Sequence, residues 1–165
     1  MAQDGPRLSS FGGVGASNDA ERLIAWVDWI EGLPQVNDLR KRSYELLGLA
    51  PGATAVDVGC GTGRAVADLA STGVAATGYD ASESMIEMAR RRFPGLDFRI
   101  GTAERLPVET ASVQGYRAER LYQHLTIPAA GLAEVNRVLA LGGRIVIVDL
   151  DYDTIRPGRR RSEHQ

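Results

Sequence analysis

The chain is 165 residues long, room for one core rather than two. Apolar residues at 44% and charged residues at 24% sit near the globular average, which excludes a largely disordered chain. A net charge of −2 offers no basic surface for nucleic acid or an anionic membrane, and the single cysteine, Cys60, excludes a disulfide framework and suits a reducing compartment.

Residues 1–17 hold Gly5, Gly12, Gly13 and Gly15 with little periodicity and read as a flexible leader. They lack the apolar core of a secretion signal, and no later stretch reaches the ~18 apolar residues that span a bilayer, so a cytoplasmic protein is expected. A helix is predicted from Asn18, with Glu21 at the capping-box position and Leu23, Val27 and Ile30 on one face. Gly32 and Pro34 end it. A second helix is predicted over 36–47, with Gly48 as its C-cap. Residues 18–50 thus read as a helical cap.

From Pro51 strands and helices alternate. Strands are predicted over 53–58, 74–79, 96–100, 113–118 and 144–150. Helices are predicted over 62–71, from a Ser82 cap to Pro94, and from Pro128 to a stop at Gly142-Gly143. The arginines 90–92 form a solvated helix end favourable to the dipole. The unbroken run Ile145-Val146-Ile147-Val148 suits a parallel strand covered on both faces. An open α/β sheet of the doubly wound type is therefore expected for residues 51–153, with a frayed basic tail over 154–165.

The first of these strands runs into Asp57-Val58-Gly59-Cys60-Gly61-Thr62-Gly63. Glycines between a strand and a helix let a ligand approach the backbone, and the helix start presents unpaired N–H groups. Asp80 ends the next strand, 17 residues after Gly63, where a carboxylate can accept from both hydroxyls of a ribose. A nucleoside-containing ligand is the physical reading. A dinucleotide fingerprint wants its third glycine where Arg64 stands, and Asp57 would repel a pyrophosphate, so NAD is disfavoured. A carboxylate there suits a ligand with an ammonium group, as in S-adenosylmethionine.

At these residues the sequence resembles the class I S-adenosylmethionine-dependent methyltransferases, in particular their small-molecule, ubiquinone-biosynthesis-like branch. The likeness rests on residues 56–63, on Gly78-Tyr79-Asp80 with Ser82 and Met85, on 101–107, on 119–125 and on 137–144, all in family order. It implies a Rossmann-like three-layer sandwich with a mainly parallel five-stranded sheet of order 3-2-1-4-5. It also implies S-adenosyl-L-methionine as cofactor. Gly59, Gly61 and Gly63 would then line the methionine and ribose portion, Asp57 would orient the turn and the ammonium group, Asp80 would hold the ribose hydroxyls and Met85 would pack on the adenine, with Cys60 and Ala81 also among the cofactor-binding residues. Thr102, Ala103 and Glu104 would stand at the adenine edge, where the family commonly has Asp in place of Thr102. Glu119 would be a further cofactor-binding residue. Cys60 is read as a small packed residue of the turn rather than a reactive thiol.

His124 comes after the fourth strand at the carboxyl edge and is the candidate catalytic base toward the acceptor. A histidine that only orients its loop is the competing reading. Asp149, Asp151 and Asp153 are read as solvated loop carboxylates, with no metal site expected. Methyl transfer to a small-molecule acceptor is the function implied. Two alternatives stand beside it: a shortened relative that binds the cofactor as partner or regulatory subunit, and a fold recruited for a cyclisation or isomerisation. Twelve residues come after Asp153, too few for the two further strands usual in the family. The fifth strand is therefore expected to lie bare at the sheet edge and to invite a second copy, a partner chain or the tail 152–161.

Overall fold

Two helices precede the first strand and wall the carboxyl end of the sheet. The structure, a computed structural model, describes residues 17–150; the predicted leader and basic tail, with Asp151 and Asp153, lie outside the described residues. The helices α1 (Ser17–Glu31) and α2 (Pro34–Leu47) lead into β1 (Thr54–Val58), α3 (Arg64–Ser71), β2 (Ala75–Asp80) and α4 (Glu83–Arg92). Then come β3 (Asp97–Ile100), β4 (Val113–Glu119), a 3-10 turn (Tyr122–His124), α5 (Pro128–Val138) and β5 (Leu139–Val148). The five strands form one parallel sheet in the order β3-β2-β1-β4-β5, as expected from the sequence. No helix among the described residues is long and apolar enough to cross a membrane.

Strand alternation divides the core into two layers. Ala55 and Ala76 point to the face covered by Leu47 of α2, Val66 and Leu69 of α3, and Ile86 and Ala89 of α4, with Phe98 between them. Val56, Val58, Tyr116 and Ala118 point the other way, onto Val135 and Val138 of α5 and Tyr122. On this second face Glu134 of α5 accepts from Leu106 N–H at 2.7 Å and is held by Arg137, pinning the loop after β3.

Three local readings are corrected. Pro34 opens α2 rather than closing α1, because a ring without an N–H is tolerated in a first turn. Helix α3 starts at Arg64, since Gly63 at φ +91 is still outside helical space. Helix α5 stops at Val138, where Leu139 has turned extended (φ −74, ψ 127), so Gly142-Gly143 lies inside β5 instead of ending the helix. Gly142 at φ +79 accompanies a register shift against β4 between Val113 and Gly115, the mark of a bulge.

Among the described residues strand β5 is an edge, hydrogen-bonded to β4 alone. It is not bare on its faces: α2 and α5 both pack against it, and Val146 is buried. Ile145 and Leu141 remain exposed. Helix α1 packs on α2 and is joined to α4 by Asp28, which accepts from both terminal nitrogens of Arg92 at 2.5 and 2.6 Å.

Gly63 is fixed by two constraints at once. Its φ is left-handed, and a Cβ there would meet Phe98 Cζ at 2.6 Å and Ala89 Cβ at 3.0 Å. Gly63→Ala should therefore lower the free energy of unfolding by about 1–3 kcal/mol, the usual cost of forcing a methyl into a packed core. Urea denaturation of the variant checks it; an unchanged midpoint would show that Phe98 gives way freely.

Candidate functional site

The carboxyl ends of β1, β2 and β4 face α1 and α2 across a cavity of about 1060 Å³. Its floor is the turn between β1 and α3. Gly59, Gly61 and Gly63 all have positive φ, and the turn is tied down by Gly59 and Cys60 N–H groups donating to the Tyr79 carbonyl at 2.7 and 3.0 Å. A Cβ on Gly61 would meet nothing within 4 Å, so the backbone is open to the cavity there.

Asp80 stands at the end of β2 and gives each carboxylate oxygen one backbone donor. Oδ2 accepts from Gly61 N–H and Oδ1 from Ser82 N–H, both at 2.9 Å. Burial raises this carboxyl above its ordinary 3.8, and the two amides draw it back. A carboxylate oxygen has two lone-pair sites, so each keeps one for a ligand donor. Ser82 caps α4 by accepting from Met85 N–H, which sets Met85 into the wall.

Beneath the turn lies an ion-pair cluster that sequence reasoning did not find. Asp57 and Arg117 are register partners on β1 and β4 and point to the same face. Arg117 Nη1 donates to Asp57 Oδ1 at 2.7 Å, Nε donates to Ser43 Oγ of α2 at 2.8 Å, and Nη2 donates to Glu119. The guanidinium also lies over the Tyr44 ring, 5.4 Å from its centroid. Arg117 and Asp57 side chains are 2% and 3% exposed, so this is a desolvated pair rather than a surface one. Burial works against the Arg117 charge, but facing Asp57 and Glu119 the guanidinium is held above its ordinary range. Burial pushes Asp57 up and Arg117 pulls it back; at this distance the pair is ionic. Asp57 is thus already engaged by a cation of the protein.

Asp57, Gly59, Cys60, Gly61, Asp80, Ala81, Met85, Glu119 and His124 all line the one cavity. Gly63, Thr102, Ala103 and Glu104 are not on its wall. Gly63 packs against Phe98, Ala103 is buried in the second core layer, and Thr102 and Glu104 are exposed in a turn where Thr102 and Arg105 exchange backbone hydrogen bonds. Cys60 is buried, and burial raises its thiol well above the ordinary value, so little thiolate forms. His124 is exposed at the rim, its Nε2 3.0 Å from Gln123 Nε2. Arg120 beside it holds φ +54, a left-handed conformation uncommon outside glycine, and also lines the cavity. Among the described residues no group of three or more His, Cys, Asp or Glu is placed to hold a metal ion.

The opposite wall is helical. Leu23, Trp26, Val27 and Ile30 of α1 and Val36 and Arg40 of α2 face the turn, with Glu31 at the end of α1. Their helical spacing was legible, but not that their shared face closes a cavity.

A family model described as a methyltransferase domain matches residues 56–147. A demethylmenaquinone methyltransferase of Beutenbergia cavernae is 36% identical over 110 residues, 67% of this chain and 46% of its own length. An uncharacterized 37.1 kDa protein in transposon TN4556 of Streptomyces fradiae is 33% identical over 138 residues, 80% of this chain and 40% of its own. Among solved structures, a chain of the complex between the Haloferax volcanii Trm112 methyltransferase activator and its methyltransferase partner is 29% identical, with a TM-score of 0.61 over 65% of this chain and 49% of that one. The chain thus spans about half, or less, of the length of these relatives.

Proposed function

The chain belongs to the methyltransferase domain family, and on that premise we propose that its cavity binds S-adenosyl-L-methionine and that the protein transfers the methyl group to a small-molecule acceptor. The supporting observation is charge. Seven carboxylates and three guanidinium groups line the cavity, in a chain whose net charge is only −2. Such a site favours a ligand carrying a sulfonium and an ammonium, and it disfavours the pyrophosphate of NAD.

The residues present fit that cofactor. Asp80 keeps acceptor capacity for the ribose hydroxyls, Gly59 and Gly61 leave room for close approach, and Met85 offers an apolar surface to the adenine. Arg40 and Arg120 are the cations available to the carboxylate of the methionine part, and Glu119 is the anion available to its ammonium. Asp57 acts through Arg117 as a positioning residue. Thr102, Ala103 and Glu104 contribute to the adenine edge only if their turn moves toward the cavity.

The cofactor supplies an electrophilic methyl group on a positively charged sulfur. The protein's share is to hold the acceptor in line, to exclude water with the α1–α2 wall, and to receive the acceptor's proton at His124 on the rim. Transfer of labelled methyl groups to a panel of hydroxyl and amine acceptors tests the reading, together with calorimetric titration of S-adenosylhomocysteine. Saturable one-to-one binding is the expected result; a protein that binds NADH and not S-adenosylhomocysteine would overturn it. The edge of β5, open among the described residues, favours a second reading in which a further copy or a partner chain pairs there and completes an active assembly. Light scattering across a concentration series distinguishes the two.

A further inference from the structure

A cation of the cavity wall has its counter-charge outside the cavity. Arg40 of α2 lines the cavity, although its side chain is only 6% exposed. Among the described residues its ion-pair partner is Asp68 of α3, whose Oδ2 lies 3.5 Å from Arg40 Nε. A guanidinium carries its N–H donors in a rigid fork. Nε faces Asp68, and Nη2 donates to Asn37 Oδ1, one turn earlier on α2. Nη1 has no hydrogen-bond partner among the described residues. Glu31 attracts Arg40 through space, without an ion pair between the two among the described residues.

Asp68 is placed to hold that fork still. It stands in the second turn of α3, the helix that begins directly after the glycine turn. Its Oδ1 accepts from Arg64 Nε at 3.1 Å, one turn earlier on the same helix. Its Oδ2 faces Arg40 and also accepts from the Tyr44 hydroxyl of α2 at 3.1 Å. Burial raises the Tyr44 phenol far above its ordinary value, so it stays a donor. The Tyr44 ring is the one beneath the Arg117 guanidinium. Three donors from two helices thus converge on one carboxylate, which makes it a network rather than an isolated surface pair. Asp68 is not on the cavity wall, so it meets no ligand there. A buried cation needs a fixed counter-charge, and without Asp68 the attraction left to Arg40 is that of Glu31.

Resting on the cofactor reading above, we propose that Asp68 is a positioning residue for the cofactor: from outside the cavity it fixes Nε of Arg40, and so leaves Nη1 presented to the carboxylate of the methionine part. Its contribution is to the affinity for that carboxylate and not for the nucleoside, which Asp80 and Met85 hold.

Calorimetric titration with S-adenosylhomocysteine and with its decarboxylated analogue, which keeps the nucleoside and the ammonium, tests this. The wild-type protein is expected to bind S-adenosylhomocysteine about tenfold more tightly than the analogue, the worth of one charge-assisted hydrogen bond. In Asp68→Asn, S-adenosylhomocysteine weakens about fivefold, while the analogue stays within about twofold and shows that the variant is folded. Arg40→Met abolishes the preference for the carboxylate. Adding Asp68→Asn to Arg40→Met then changes neither affinity by more than about twofold, because no guanidinium is left to position. Equal weakening of both ligands in Asp68→Asn would show a merely structural role and overturns the proposal. Unchanged affinity for S-adenosylhomocysteine in Asp68→Asn, or a full effect of Asp68→Asn in the Arg40→Met background, overturns it as well. If the wild type binds both ligands equally, the positioning role is wrong and the cofactor reading stands. If it binds neither, the cofactor reading fails and the proposal falls with it.

Discussion

Arg117→Leu should destabilise the protein by about 3–5 kcal/mol, the cost of leaving a buried ion pair with one partner. The reason lies in what remains. Asp57 stays buried beneath the glycine turn, and Glu119 keeps only the longer contact to Arg120 at 3.5 Å. Ser43 and Tyr44 of α2 lose their link to the sheet, so α2 should loosen along with the floor. Asp57→Asn should cost less, because Arg117 keeps Glu119, Ser43 and the Tyr44 ring. Urea unfolding gives both numbers. A loss in Arg117→Leu no larger than in Asp57→Asn would mean that water reaches the site and that the pair is not desolvated. Leucine at 117 combined with apolar replacement of Asp57 should recover much of the loss, since the unfavourable element is the unpaired charge rather than the missing contact.

Asp80→Asn should weaken binding of S-adenosylhomocysteine by about 1.5–3 kcal/mol, roughly 10- to 100-fold. Both oxygens of Asp80 already accept from backbone N–H groups. Either orientation of an Asn amide therefore sets its NH₂ against Gly61 N–H or Ser82 N–H, and an acceptor for the ribose disappears in the same step. Acidity provides a second readout. Burial raises the Asp80 carboxyl above 3.8, and the protonated form loses acceptor capacity. Affinity should thus fall as pH drops through that raised value, beginning above the pH at which a solvated aspartate titrates. The Asn variant should lack this component. Identical acid profiles for the two proteins would remove Asp80 from the ribose.

Much of the fold was legible because period and punctuation agreed. Gly48, Ser82 and Pro128 mark helix ends where the structure has them, and short apolar runs between them can only be buried strands. The end of α5 misled because Gly-Gly is a stop signal for a helix and equally the place where a strand can bulge, and only the pairing of β5 with β4 decides between them. The site was legible where one motif carries it, in the glycine turn and Asp80. It was not legible where two distant segments meet. Arg117 lies in a strand of ordinary appearance, and its meaning depends on standing opposite Asp57, 60 residues away. The strand order and the register together would have paired them: two opposite charges in adjacent buried strands, on one face.

The link between α1 and α4 adds an ionic-strength dependence to the cavity. Asp28 and Arg92 are 39% and 31% exposed, and a pair of this kind contributes about 0.2–1 kcal/mol in dilute buffer. Screening shortens from about 10 Å at 0.1 M salt to about 3 Å at 1 M, so this link is the part of the wall most sensitive to added electrolyte. Helix α1 carries both tryptophans of the chain, Trp26 and Trp29, and each faces the cavity. Indole emission is consequently a gauge of helix α1 and blind to the sheet: raising sodium chloride should shift it well before circular dichroism registers any loss of β-structure, and the rate at which ligands enter should climb with the same salt series.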